Sequence, residues 1–255
     1  MKKIMLLLFL AFKIQFANAD SFMCSNNGMQ FYPKDKEISL NSIFIIQGYS
    51  KSQKTINSFK NRAVYLQSKN GQLIELKLQD ILTGQMGLTQ ALFKPSIELE
   101  SNTTYYLKYS DQTESETKEM VIWNSEKKEK EKVYWKTTDK KFATILNSNL
   151  KIEFEKTEVE FYGCGPSVNA IFNVKNKSVT KVWYKTEVIN ITTNKKTIYY
   201  IKEWDKKLAV GHGMCAGAFT FYEKGKYKVR FTPMNTDGQT LKTTEWTTFN
   251  SPLKI

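Results

Sequence analysis

Residues 99–107 read LESNTTYYL and residues 221–229 read FYEKGKYKV. In each stretch a large apolar residue, Leu99 or Phe221, stands six positions before a tyrosine, Tyr105 or Tyr227. Each half of the chain then closes on a tryptophan followed by threonines: Trp135-Lys136-Thr137-Thr138 and Trp246-Thr247-Thr248. This spacing is that of a tyrosine corner, where the ring caps a β-sandwich and the phenol bonds back to the preceding turn. The closing tryptophan is then expected in the core of the last strand of each half.

The surrounding sequence supports strands rather than helices. Phe44–Ile46, Ala63–Leu66, Leu73–Leu78, Tyr105–Leu107 and Met120–Trp123 are short runs rich in β-branched and aromatic residues. In Leu73–Leu78 the charged Glu75 and Lys77 alternate with Ile74, Leu76 and Leu78, close to a period of two. Asn70-Gly71 and Asp237-Gly238 are hairpin signals because both residue types tolerate positive φ. A helix over Ile81–Leu92 is an option that Gly84 and Gly87 weaken. Residues 124–132, NSEKKEKEK, join two strand signals and read as a solvated hairpin extension whose charges largely cancel. After Thr138 a second strand-rich stretch begins near Lys151, with runs at 152–154, 159–161, 168–174, 181–191, 197–202, 218–222, 227–231 and 241–249.

Pro95 to Glu100, the NTTYYL that follows and the closing W-K-T-T together resemble the bacterial Ig-like and fibronectin type III-like domains of exported proteins. Met29-Gln30-Phe31-Tyr32-Pro33 is similar to the first strand of such domains. The likeness covers most of residues 28–139 and, more weakly, 151–249. It implies an all-β chain of two Ig-like antiparallel β-sandwich domains in tandem, over residues 20–139 and 151–255. These motifs mark a fold and bring no catalytic residues with them.

Residues 1–19 have the layout of a cleaved signal peptide. Lys2 and Lys3 precede the apolar run Ile4–Phe12, which is too short to span a bilayer, and Ala17-Asn18-Ala19 is a small-residue cleavage site. Cleavage after Ala19 is expected, and no later stretch is apolar for long enough to cross a membrane. The leader holds three lysines (Lys2, Lys3, Lys13) and no acid, so its removal takes the formal charge from +13 to +10. Nearly all of the positive charge is lysine, with only Arg62 and Arg230 as arginines, which argues against specific nucleic-acid readout.

One histidine and three cysteines exclude multi-histidine metal sites, zinc-ribbon arrays and disulfide-dense miniproteins. No metal and no cofactor are expected. Cys164 and Cys215 lie in the glycine-rich segments 163–166 and 211–219, and in an exported chain they are expected to pair. Cys24 is left over, with three options open: free, paired between chains, or bonded to a cysteine of the second half. His212 is expected in an exposed glycine turn, and with Tyr199, Tyr200 and Trp204 it forms a candidate binding loop. Glu153, Glu155, Glu158 and Glu160 alternate with apolar residues and read as a solvent face rather than a glycosidase pair. No catalytic residue is assigned. The expected function is non-enzymatic: binding to a protein or glycan of the cell envelope or surface, or acting as a spacer there. The alternative is a secreted hydrolase with a site near His212.

Overall fold

The computed structural model describes residues 28–124, 126–142, 145–176, 181–222 and 225–253. The leader, its cleavage site and Cys24 fall outside these residues. In the first half, β1 (Gly28–Tyr32), β2 (Glu37–Ile38), β3 (Phe44–Tyr49), β4 (Val64–Ser68), β5 (Leu73–Thr83), β6 (Leu88–Pro95), β7 (Thr104–Tyr109) and β10 (Tyr134–Thr137) are hydrogen-bonded in the order β1-β3-β6-β5-β4-β7-β10-β2. Every pairing is antiparallel except β10 with β2. The register slips between Leu78 and Asp80 in β5, and a bulge of this kind lets a strand bend. The two ends of the sheet meet around one core. Phe31 of β1 and Trp135 of β10 are both buried there, and the Trp135 Nε1–H donates to the Pro33 carbonyl (2.9 Å).

The tyrosine corner of this half is present. Tyr105 is fully buried, and its phenol oxygen accepts a hydrogen bond from the Glu100 N–H (3.0 Å). Thr137, in the closing motif, locks the same turn by donating to the Glu100 carbonyl and accepting from the Thr103 N–H. The suggested helix over Ile81–Leu92 is instead the end of β5, a turn and the start of β6, with Ile81 opposite Ala91 and Leu82 opposite Gln90. Gly87 takes φ +68° in that turn, a region closed to most side chains. Two short helices, α1 (Gln53–Ser58) and α2 (Glu114–Glu119), were not anticipated. The signal for α2 is legible afterwards: Thr113 and Glu116 form a reciprocal capping box.

In the second half, β11 (Lys151–Tyr162), β12 (Gly165–Lys175) and β15 (Lys207–His212) form a three-stranded sheet. It faces a four-stranded sheet ordered β14-β13-β16-β17, built from β13 (Trp183–Asn190), β14 (Lys196–Lys202), β16 (Lys226–Met234) and β17 (Thr247–Asn250). Phe172, Tyr184, Phe221, Val229 and Phe231 fill the space between them. The molecule is therefore an all-β fold of antiparallel sandwich layers. Residues 218–222 and 241–246 form no strand, although strands were expected there.

A third cluster lies between the halves. Tyr32, Ile43 and Ile45 pack against Trp183, Tyr200 and Met234, with Tyr32 and Trp183 edge to face at 4.8 Å. Main-chain bonds run along the same seam: Ile43 N–H to Thr236 O (2.8 Å), Met86 N–H to Gly217 O (3.1 Å) and Gly217 N–H to Met86 O (2.9 Å). The Gln90 side chain reads the Tyr200 backbone from both sides, accepting from its N–H and donating to its carbonyl.

Candidate functional site

His212 does not occupy an exposed turn. It is the last residue of β15, opposite Val168 of β12, and only 2% of it is exposed. The glycines around it serve close packing. A Cβ at Gly211 would stand 2.0 Å from the Val168 carbonyl oxygen, and one at Gly217 would stand 2.1 Å from the His212 Cβ. The Nδ1–H donates to the Gly213 carbonyl (2.8 Å), and Nε2 is buried without a hydrogen-bond partner among the described residues. The His212 ring is tilted against the Tyr222 ring, with the centroids 5.5 Å apart. A general base needs a reacting proton within hydrogen-bond reach, and this ring is turned into packing instead.

The other members of the expected loop are dispersed. Tyr199 is buried and donates from its phenol to Gln47 Oε1 (3.2 Å) across the seam. Tyr200 belongs to the seam cluster, whereas Trp204 is 86% exposed in the turn between β14 and β15. The four residues form no common surface. The reason is parity, since neighbours on a strand point to opposite faces and Tyr199 and Tyr200 enter different cores. The expected Cys164–Cys215 bond is not formed either. Cys164 is half-buried and free, and Cys215 is disulfide-bonded, so its sulfur is already committed. The carboxylates of β11 do lie at the surface with lysine partners: Glu153 with Lys175, Glu155 with Lys207 and Glu158 with Lys156.

The concave surface lies elsewhere, around residues 121–132. This segment is a hairpin, as its sequence implied: β8 (Val121–Asn124) pairs with β9 (Glu129–Lys132), Val121 opposite Lys132. It lies against the first half, with Ile122 packed on the core and Asn124 buried, and a groove opens on each side of it near Val133. One groove, of about 520 Å³, mixes apolar and charged residues, with Met29, Ile122, Trp123 and Tyr134 along it beside Lys34, Lys36 and Glu126. Trp123 is 63% exposed there. Lys36 sits at the rim, 4.8 Å from the Tyr134 ring centroid and bonded to Glu131, whose carboxyl is held below its ordinary range by that bond.

The other groove, of about 720 Å³, crosses the outer face of β4 and β7. Lys69, Lys108 and Lys132 surround it, Gln67 and Tyr106 form part of its wall, and no Asp or Glu lines it. Its far wall carries Thr117 of α2. That helix is fixed by Arg62, which donates to both Glu116 oxygens and to Asp111. The guanidinium beside it draws the Glu116 carboxyl down to about 2, with further help from the Thr113 N–H and hydroxyl. Nothing in the residue pattern placed Trp123 or Tyr106 at a surface, because each lies in a run that also supplies core residues. The charged hairpin was the one legible signal.

Among the described residues there is no cluster of three or more His, Cys, Asp or Glu side chains able to hold a metal ion. None of the described helices is long and apolar enough to cross a membrane.

No protein family matches the chain, and no curated protein matches it. Among solved structures it is similar to a pullulanase from Anoxybacillus sp. LM18-11 complexed with maltotriose, with 7% identity over 84% of this chain and 24% of that one, at a TM-score of 0.24. A cytokine receptor complex gives 10% identity over 89% and 97% of the two chains, at 0.26. The Yersinia pseudotuberculosis adhesin InvE gives 12% over 89% and 59%, at 0.21. The chain spans about a quarter of the length of the pullulanase chains it matches. Likenesses this remote carry no functional argument.

Proposed function

We propose that this is an exported, non-enzymatic binding protein that engages a component of the cell envelope or surface. The observation that carries the reading is the charged hairpin at residues 121–132 with an open groove on each side of it. Loops and arms held on a rigid sandwich are the usual place for recognition in such folds. The seam cluster supports this by making the two halves a stiff support for the hairpin. The leader-like residues 1–19 support export. On this reading, residues 20–139 and 151–255 act as tandem Ig-like units, and His212 keeps a structural part in the second.

Fractionation of the producing cell tests the reading. The chain is expected in the envelope, periplasmic or medium fraction with Asp20 as its first residue by mass spectrometry. The purified chain is expected to sediment saturably with isolated envelopes. Retention in the cytosol, or no sedimentation with envelopes, would sink it.

A further inference from the structure

We infer that the groove across β4 and β7 binds an acidic oligosaccharide. Three observations lead there. First, Lys69, Lys108 and Lys132 come from three separate elements: the β4–β5 turn, β7 and the end of β9. None of the three is in an ion pair among the described residues, and no carboxylate lines the groove. Several carboxylates of the surrounding elements are bonded elsewhere: Asp111 and Glu116 to Arg62, Glu119 to the Ser52 hydroxyl and Glu131 to Lys36. Unneutralised charge of one sign in a concave site concentrates ligands of the other sign.

Second, the surface between the lysines suits a ring-shaped, hydroxyl-rich ligand. Tyr106 is half-buried in the groove, its ring tilted at 6.1 Å against Tyr134 of the neighbouring groove, so one aromatic ring faces the space between the lysines. Gln67, directly opposite Tyr106 in the register, adds an amide, and Thr117 adds a hydroxyl. Aromatic faces accept the C–H faces of sugars while amides and hydroxyls bond their edges. The groove volume falls within the range of about 300–1,000 Å³ usual for small-ligand sites.

Third, the position of the groove disfavours an acidic peptide. An extended peptide gains affinity by adding main-chain bonds at a free sheet edge. Here β4 is paired with β5 and β7, and β7 with β4 and β10, so the two strands under the groove offer no free edge. Lysines rather than arginines also point away from bidentate phosphate clamping and toward scattered carboxylate or sulfate groups.

This assignment rests on the envelope-binding reading, and the experiment separates the two. The full chain is titrated calorimetrically with hexagalacturonate, a heparin hexasaccharide, neutral maltohexaose and hexaglutamate. Saturable binding of at least one of the two acidic sugars is expected, weakening as salt is raised. The pair Lys108→Gln and Lys132→Gln should lower that affinity at least about tenfold with an unchanged melting temperature, and Tyr106→Ala should do the same. Lys108→Arg with Lys132→Arg should stay within about threefold of wild type. The pair Lys185→Gln and Lys228→Gln, on the outer face of the second half, should change it less than about twofold. The inference is overturned if neither acidic sugar binds, if hexaglutamate binds as tightly, or if the second-half pair loses as much affinity. Envelopes run in parallel distinguish the failures. Equal sedimentation of wild type and the Lys108/Lys132 glutamine pair overturns the groove alone, whereas no sedimentation of wild type removes the binding reading itself.

Discussion

Trp135 and Trp246 stand in nearly the same closing motif, yet they face opposite ways. Trp135 is 2% exposed, lies edge-on to Phe44 at 4.7 Å and shares its inward face with Thr137. Trp246 is only half-buried, on the outer face of its sheet, with the Arg230 guanidinium 4.5 Å and the Lys228 ammonium 4.9 Å from its ring. The expectation that both would be core residues is therefore corrected for Trp246. The cause is a count of residues along the segment that leads into the last strand. Thr244 N–H donates to the Phe231 carbonyl, while Thr247 stands opposite Val229. Three steps on one strand thus match two on its partner, and one extra residue exchanges the faces. Phe249, two residues beyond Thr247, takes the inward position that the motif had offered to the tryptophan.

Truncating the inward ring is the harshest way to break this comparison. Trp135→Ala should destabilise the chain by about 3–5 kcal/mol, read by urea unfolding, because it empties a core site and orphans the Pro33 carbonyl. A loss near 1 kcal/mol would mean that the two tryptophans are equivalent after all.

The seam tests whether the two halves can be contrasted as separate bodies. Ile45 is 1% exposed and packs in the cluster with Trp183 and Met234. Ile45→Ala should destabilise by about 2–4 kcal/mol. Hydrogen exchange should quicken in β13 and β16 of the second half as well as in β3. Faster exchange confined to the first half would show that the seam does not couple them.

The smallest effect belongs to the outward ring. Trp246→Ala removes cation–π contacts with Lys228 and Arg230, and half-exposed contacts of this kind are worth about 1 kcal/mol or less. Arg230 keeps its two bonds to Glu187 in the variant. A loss above about 3 kcal/mol in the same urea measurement would place Trp246 in the core.

Much of the candidate site was out of reach of local reading for the same reason. The hairpin was legible, since a run of lysines and glutamates between two strand signals has nowhere to go but solvent. The grooves beside it were not, because they join residues 67–71, 106–120 and 132–133, which only the pairing of β4 with β7 and of β7 with β10 brings together. The glycine-rich segment around His212 misled in the opposite direction. Glycines that look like a loop from composition are here the condition for two strands to touch, with the Val168 carbonyl filling the space a side chain would need.

The sequence by itself determined the strand class, the tyrosine corner at Tyr105 and the charged hairpin extension at 124–132. Each of these depends on residues within a few positions of one another: a period of two, a turn residue, a side chain reaching its own backbone. Tertiary structure alone decided which face each strand turns inward. It set His212 opposite Val168 in a buried position and turned Trp246 outward. Those outcomes hang on register, and register is set by the partner strand and by single inserted residues, whose effect on facing is all or none and leaves local composition unchanged.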